Sequence, residues 1–279
     1  MEVVLINKTV KRLLIAAAGL FLIIIGFCGY RIITIVRQYR ADQEIYNDLL
    51  SRYVSLSYDP EAILTTPAPT QRPGWYDPYD DLDRMSITDA SPITVNFSAT
   101  PEDVSGAVVG HLYCEGTKIN YPVMQHSDND FYLNHDSTGR VSAAGALFVG
   151  ASNFSDFSDV NTVIHGHHLN NGLMFGAIEK WGSQSWFDSH STLYLNTPSQ
   201  NYKLEAVAYY EVSKSSNAFQ IEFKSEEAVN DWVTGLIKNA KTSSGYSYYA
   251  GDRFVSLATC VYTFKDARGI LLCKLVPVA

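Results

Sequence analysis

The segment Ser256–Arg268, SLATCVYTFKDAR, sets a cysteine at the end of a β-type apolar run and an arginine eight residues later. A thiolate is a nucleophile, and a guanidinium beside it either favours the thiolate or holds the oxyanion that develops on an attacked carbonyl. A hairpin would make the two neighbours: if 254–259 and 269–276 pair as adjacent strands, Arg268 returns to the side of Cys260. Thr259 marks the strand end, where side chains become accessible. A lone cysteine is more often a small buried hydrophobe, so the chemistry needs a further member.

That member is a proton acceptor. Three of the seven histidines lie in VIHGHHLNNG, residues 163–172, and any one of His165, His167 and His168 could partner the thiol. His165 and His167 would share a face if the strand continued. A metal reading is disfavoured, because no carboxylate or cysteine cluster accompanies them at ligand spacing; no metal and no cofactor are expected. The four cysteines, Cys28, Cys114, Cys260 and Cys273, are scattered, contain no CxxC pair and do not form the pattern of a stapled small domain. A net charge of −8, with no basic patch, argues against nucleic acid as a partner.

The elements that must carry these residues follow from texture. Leu13–Tyr30 carries no charge and follows Lys8, Lys11 and Arg12. Such a run is long enough to cross a hydrocarbon core as a helix, and it continues past the small residues at 16–18, as an uncleaved anchor would. Arg31, Arg37 and Arg40 follow the span, so basic residues alone do not orient it. Ile45, Leu49, Tyr53 and Leu56 recur at near-helical spacing and predict a juxtamembrane helix. TTPAPTQRPGWYDPYDDLD then predicts an extended linker, since proline blocks both helix and ladder. The division expected is a tail at 1–12, a spanning segment at 13–36, a helix at 37–58, a linker at 59–100 and a domain at 101–279.

Within the domain, short β-type runs such as AVVGHLY, GALFV, NTVIHG and RFVSLAT are punctuated by Gly, Asn, Ser and Asp, which predicts a sandwich or barrel. One helix interrupts them. Val229, Trp232, Val233, Leu236 and Ile237 form a core-facing stripe, with Glu226 and Glu227 in its first turn and Lys238 and Lys241 near its end.

With these motifs in place, the chain resembles the sortases, membrane-anchored cysteine transpeptidases of Gram-positive cell surfaces, and their class B branch in particular. SLATC followed by Arg268 is similar to the TLxTC…R signature. HGHHLNNGLMF is similar to the histidine segment, while GTKINYPVMQHSDNDFYL and GALFVGASN are similar to earlier strands. The resemblance covers about residues 104–276. It implies a mainly β fold, a closed eight-stranded sortase-type β-barrel with a few peripheral helices, behind an N-terminal transmembrane helix. It also implies that Cys260 is the nucleophile, His167 the acid/base and Arg268 the oxyanion or substrate-positioning group. Asn129 and Leu133, from an N-x-x-x-L loop, would line the peptide groove with Phe219, Ala258 and Thr259. The chain departs from the pattern at Ser256 and Ala258, and at Gly150 and Ser152, where LFxDxRN has an acid and an arginine.

The implied reaction opens a C-terminal sorting signal of a surface protein through a thioester and passes the acyl group to a lipid-linked peptidoglycan precursor amine. That places the chain in the cell membrane as a single-pass protein, with its N-terminus cytoplasmic and its catalytic domain extracellular. Two rivals remain. A hydrolytic cysteine peptidase or amidase would release product without an added amine, and a non-catalytic tethered binding domain would tolerate loss of Cys260.

Overall fold

The structure is a computed structural model of the 279-residue chain, and it describes residues 8–56, 91–99 and 107–278. The chain divides into two compact units, Met1–Ile45 and Tyr46–Ala279. Helix α1, Lys8–Tyr53, contains the charge-free run. It is long and apolar enough to cross a membrane, since 18 helical residues span roughly 27 Å.

From Tyr46 onward the helix has a buried side. Tyr46 and Leu49 are buried. The Tyr46 hydroxyl donates to the Gly145 carbonyl at 2.9 Å, and its ring meets Tyr121 edge-on at 5.2 Å. The expected stripe therefore shifts from Ile45 to Tyr46. The helix also stops at Tyr53, short of the predicted residue 58. Val54–Leu56 forms strand β1, antiparallel to β2, Ile93–Val95. β2 falls inside the stretch predicted as linker; residues 57–90 and 100 lie outside the described residues. The physical reason is local. Between Pro92 and Pro101 no proline removes an amide, and the β-branched run Ile-Thr-Val can pair.

The remaining strands are β3 (Ala107–Tyr113), β4 (Asn120–Gln125), β5 (Leu147–Val149), β6 (Asn161–His165), β7 (Thr192–Asn196), β8 (Asn201–Ser213), β9 (Thr242–Ser243), β10 (Arg253–Cys260) and β11 (Ala267–Val278). The sheet order is β11-β10-β6-β5-β4-β3-β7-β8, and β8 pairs back onto β11, which closes an eight-stranded barrel; β9 adds two residues to the edge of β8. The steps β4–β5 and β6–β10 are parallel, and the other neighbours are antiparallel. Residues Phe254–Thr259 of β10 and Asn161–Ile164 of β6 are buried without alternation, as expected for strands covered on both faces.

Helices α2 (Phe131–Asn134), α3 (Gln184–Ser189) and α4 (Glu226–Lys238) lie outside the sheet. Ser225 caps α4 by accepting from the Ala228 amide. The buried face of α4, Val229, Trp232, Val233 and Leu236, joins Val207, Phe254, Ile270 and Leu272 in one core cluster. Trp232 Nε1 donates to the Asn217 carbonyl at 2.9 Å, so the helix also holds the turn that precedes it.

His111 of β3 is fully buried and bonded at Nε2 to Asn120 Oδ1, 2.6 Å away. Burial pushes its imidazole down to about 4, partly offset by the Asn120 bond. The folded state thus keeps His111 neutral where an unfolded chain would protonate it. Protons favour the unfolded state between 6.5 and 4, so stability is full above 6.5 and falls by up to about 3 kcal/mol on acidification through that window. Urea midpoints measured between pH 6.5 and pH 5, above the ordinary carboxylate range, are expected to fall steadily; a flat profile would contradict a neutral buried ring.

Candidate active site

The end of β10 meets the start of β11 as an antiparallel pair with Cys260 opposite Arg268. The Val261 amide donates to Ala267 O at 3.2 Å. Cys260 and Arg268 are therefore the neighbouring non-hydrogen-bonded pair, in which opposed side chains share a face at closest approach. On its other side β10 runs parallel to β6, with Ala258 beside His165. The pairing extends one step beyond β6, because the Gly166 amide donates to Ala258 O at 3.1 Å. The Thr259 hydroxyl donates to Gly166 O at 2.8 Å. Those two bonds hold the residues that follow, His167 and Cys260, at the adjoining ends of two strands.

Gly166 is required by packing. A Cβ there would come within 2.4 Å of Leu147 Cδ2 and 2.7 Å of the Phe175 ring. His167 is oriented from the opposite wall. Its Nε2 is 2.7 Å from the Leu133 carbonyl, which can only accept, so Nε2 carries a proton and Nδ1 is the nitrogen left for exchange. Gly145, at φ +62°, completes this fit, since a Cβ would stand 2.4 Å from Tyr132 O and 3.0 Å from the His167 ring.

These residues line one cleft of about 510 Å³. It contains Cys260, His167 and Arg268, and also Asn129, Leu133, Phe219, Ala258 and Thr259, so every residue expected from the sequence to form the site borders the same space. Their parts differ. Asn129 Oδ1 accepts from the Ala151 amide at 2.7 Å and ties the two rim loops together. Thr259 is 2% exposed and its hydroxyl is committed to Gly166, which makes it a strut. Leu133 contributes its carbonyl as well as its side chain. Phe219 ends a short turn capped by Ser216 and stacks towards His165 at 6.4 Å. Arg268 Nη1 donates to Ala267 O at 3.0 Å, and the residue borders the cleft.

The departures noted in the sequence also have places. Gly150 and Ser152 border the cleft. Ser256 is buried and donates to Asn161 Oδ1 at 2.8 Å, while Asn161 Nδ2 donates to Gln220 O at 2.9 Å, which links β10 through β6 to the Phe219 loop. His165, named from the sequence as one possible partner of the thiol, also borders the cleft, where its ring stacks with Phe148 and Phe219. No group of three metal-ligating side chains occurs among the described residues.

The four cysteines are free thiols. Cys260 is partly exposed, whereas Cys114 and Cys273 are buried. Burial pushes Cys114 up to about 12 and raises Cys273 as well. Thiol reactivity follows thiolate fraction and access. Iodoacetamide applied to the folded protein is expected to carboxamidomethylate Cys260 while sparing Cys114 and Cys273 until urea unfolds the domain. Peptide mapping that finds either buried thiol modified first would contradict this arrangement.

No family model matches the chain. It is 28% identical over 204 residues to sortase B of Listeria monocytogenes, covering 71% of this chain and 83% of that protein. The solved structure of sortase B from Listeria monocytogenes aligns with a TM-score of 0.55 at 29% identity, covering 60% of this chain and 93% of that one. A sortase B–substrate complex from Staphylococcus aureus aligns with a TM-score of 0.60 at 24% identity, over 64% of this chain and 83% of that one, and supports the fold alone.

Proposed function

We propose that this chain, a homologue of sortase B with the sortase barrel and a cysteine transpeptidase by that kinship, acts through an acyl-enzyme on Cys260 while anchored in a membrane. The observation that carries the reading is the meeting of one thiol, one imidazole and one guanidinium at adjoining strand ends, in a cleft large enough for a peptide.

In this scheme Cys260 Sγ, as thiolate, attacks the carbonyl carbon of a peptide bond in a C-terminal sorting signal. The oxyanion is held by the Arg268 guanidinium, which can exchange its bond to Ala267 O for one to the substrate oxygen. Collapse breaks the C–N bond. The leaving amine takes a proton from His167 Nδ1, the nitrogen opposite the one bonded to Leu133. A thioester remains. An incoming amine attacks it, His167 accepts that amine's proton, and Cys260 leaves as thiolate. The acyl donor is a surface protein with a sorting signal, and the acceptor is a lipid-linked peptidoglycan precursor amine. Both are membrane-tethered, so an enzyme held by α1 meets them at raised effective concentration. Residues 1–12 would then be cytoplasmic and the barrel extracellular.

The test is to incubate the full chain in nanodiscs with fluorogenic sorting peptides, with and without triglycine as the amine. Mass spectrometry is expected to find an acyl adduct on Cys260 and an amine-dependent ligation product. Cys260→Ala should abolish both. Rates should fall roughly 10²–10⁴-fold in His167→Gln and roughly 10²–10³-fold in Arg268→Lys. An adduct on another cysteine would contradict the assignment, and hydrolysis indifferent to the amine would favour a peptidase.

A further inference from the structure

The turn that orients His167 is itself held by imidazoles outside the cleft. α2 is a single turn of four residues, far too short to persist by its own backbone bonding. Its carbonyls, which a helix end leaves without helical partners, each have a different one. Phe131 O lies 2.9 Å from His135 Nδ1, and Leu133 O lies 2.7 Å from His167 Nε2. Tyr132 O accepts from the Ala146 amide at 3.0 Å, and Asn134 O from the Ser142 amide at 2.8 Å. Alternate carbonyls are thus tied to the loop before β5, and the two between them depend on histidine rings. A carbonyl can only accept, so His135 carries its proton on Nδ1, the opposite tautomer to His167.

The His135 ring does a second thing. It stacks on the Phe131 ring with centroids 4.2 Å apart and planes 1° from parallel. His126 stacks on Phe131 at 4.5 Å and 16°. Two rings cannot share one face at those distances, so Phe131 is held between them. Tyr132 meets His126 and Phe131 edge-on, at 6.1 Å and 5.0 Å. His126 Nδ1 lies 2.8 Å from Asp128 Oδ2, and Asp128 Oδ1 accepts from the Asp130 and Phe131 amides at 2.8 Å each. His126 and Asp128 therefore fix the entry to the turn and His135 fixes its exit. Displacing Phe131 would turn α2 and carry Leu133 O away from His167 Nε2. Without that acceptor nothing keeps the His167 proton on Nε2, and a proton on Nδ1 blocks the nitrogen that must accept from the incoming amine.

We propose that Phe131 and His135 are positioning residues, a stacked pair backed by His126 that aims the Leu133 carbonyl and so sets the tautomer and orientation of His167. This rests on the transpeptidase reading of the cleft.

The experiment reads the ring and the reaction separately. The full chain, with histidine isotopically labelled at Nδ1, is placed in liposomes and studied by solid-state nitrogen NMR at about pH 8, where imidazoles are ordinarily neutral. His167→Gln and His135→Gln each delete one resonance and so assign it. In the unsubstituted protein His135 Nδ1 is expected to be protonated and His167 Nδ1 bare. Phe131→Ala and His135→Ala are expected to give His167 Nδ1 a protonated fraction and to lower kcat of amine-dependent ligation roughly 10–100-fold, with KM changing less. Phe131→Tyr, which keeps a ring between the imidazoles, is expected to preserve both. Where alanine at 131 or 135 unfolds the chain, His126→Ala is read instead and is expected to shift the resonance the same way by less. A His167 resonance identical in the unsubstituted and the folded variant chains overturns the proposal, and so does a shifted resonance with kcat unchanged. A shifted resonance in a chain that ligates nothing even without substitution leaves the positioning of the ring standing and sinks the enzyme reading.

Discussion

The site depends on strand register. Cys260 and Arg268 are neighbours because β10 and β11 pair with those two residues opposed, and because the opposed side chains of an antiparallel pair share a face. A slip of one residue would carry Arg268 to the other face of the sheet. The register is over-determined. The pairing runs from Arg253↔Leu275 to Cys260↔Arg268, β11 is pinned again by β8 on its other edge, and the apolar residues of both strands are buried in the core. Closure of the barrel is thus what holds a thiol and a guanidinium together without a single direct bond between their side chains having to do so.

His167 reaches the same place by a different route. It stands just past β6, and its position comes from short struts: Thr259 to Gly166, Gly166 to Ala258, the Phe175 amide to the His167 carbonyl, and the Leu133 carbonyl on its own ring. The last of these also selects the tautomer. The two glycines flanking this arrangement, Gly145 and Gly166, are there because no side chain fits. The cleft is consequently assembled from the β10–β11 hairpin, the end of β6, the loop bearing α2, the loop after β5 and the segment after β8 that carries Phe219.

Much of this was legible in the chain. The Cys260–Arg268 spacing read directly as a hairpin, since both ends lie in β-type runs. The α4 stripe read as a core face, and its cap and charge distribution matched a helix. What stayed hidden was whatever depends on contacts distant in sequence. The residues alone left three clustered histidines equivalent and the family resemblance pointed to His167; the fold adds that one ring sits on Leu133 O while another stacks with Phe148 and Phe219. The same holds for Tyr46, whose burial depends on a carbonyl 99 residues away, and for β2, whose partner lies beyond a proline-rich stretch. Thr259 was read as a groove residue, yet a backbone carbonyl that no sequence pattern marks takes its hydroxyl.

The central claim is that these strand ends form one reacting centre. The most direct measurement is a crystal structure of the protein trapped with a sorting peptide whose scissile amide is replaced by a thiol-reactive group. The account predicts a covalent bond to Cys260 Sγ, the Arg268 guanidinium moved from Ala267 O onto the former carbonyl oxygen, and His167 still on Leu133 O with Nδ1 facing the bond broken in catalysis. A trapped peptide with Arg268 still bonded to Ala267 O, or with His167 turned away from it, would contradict the account.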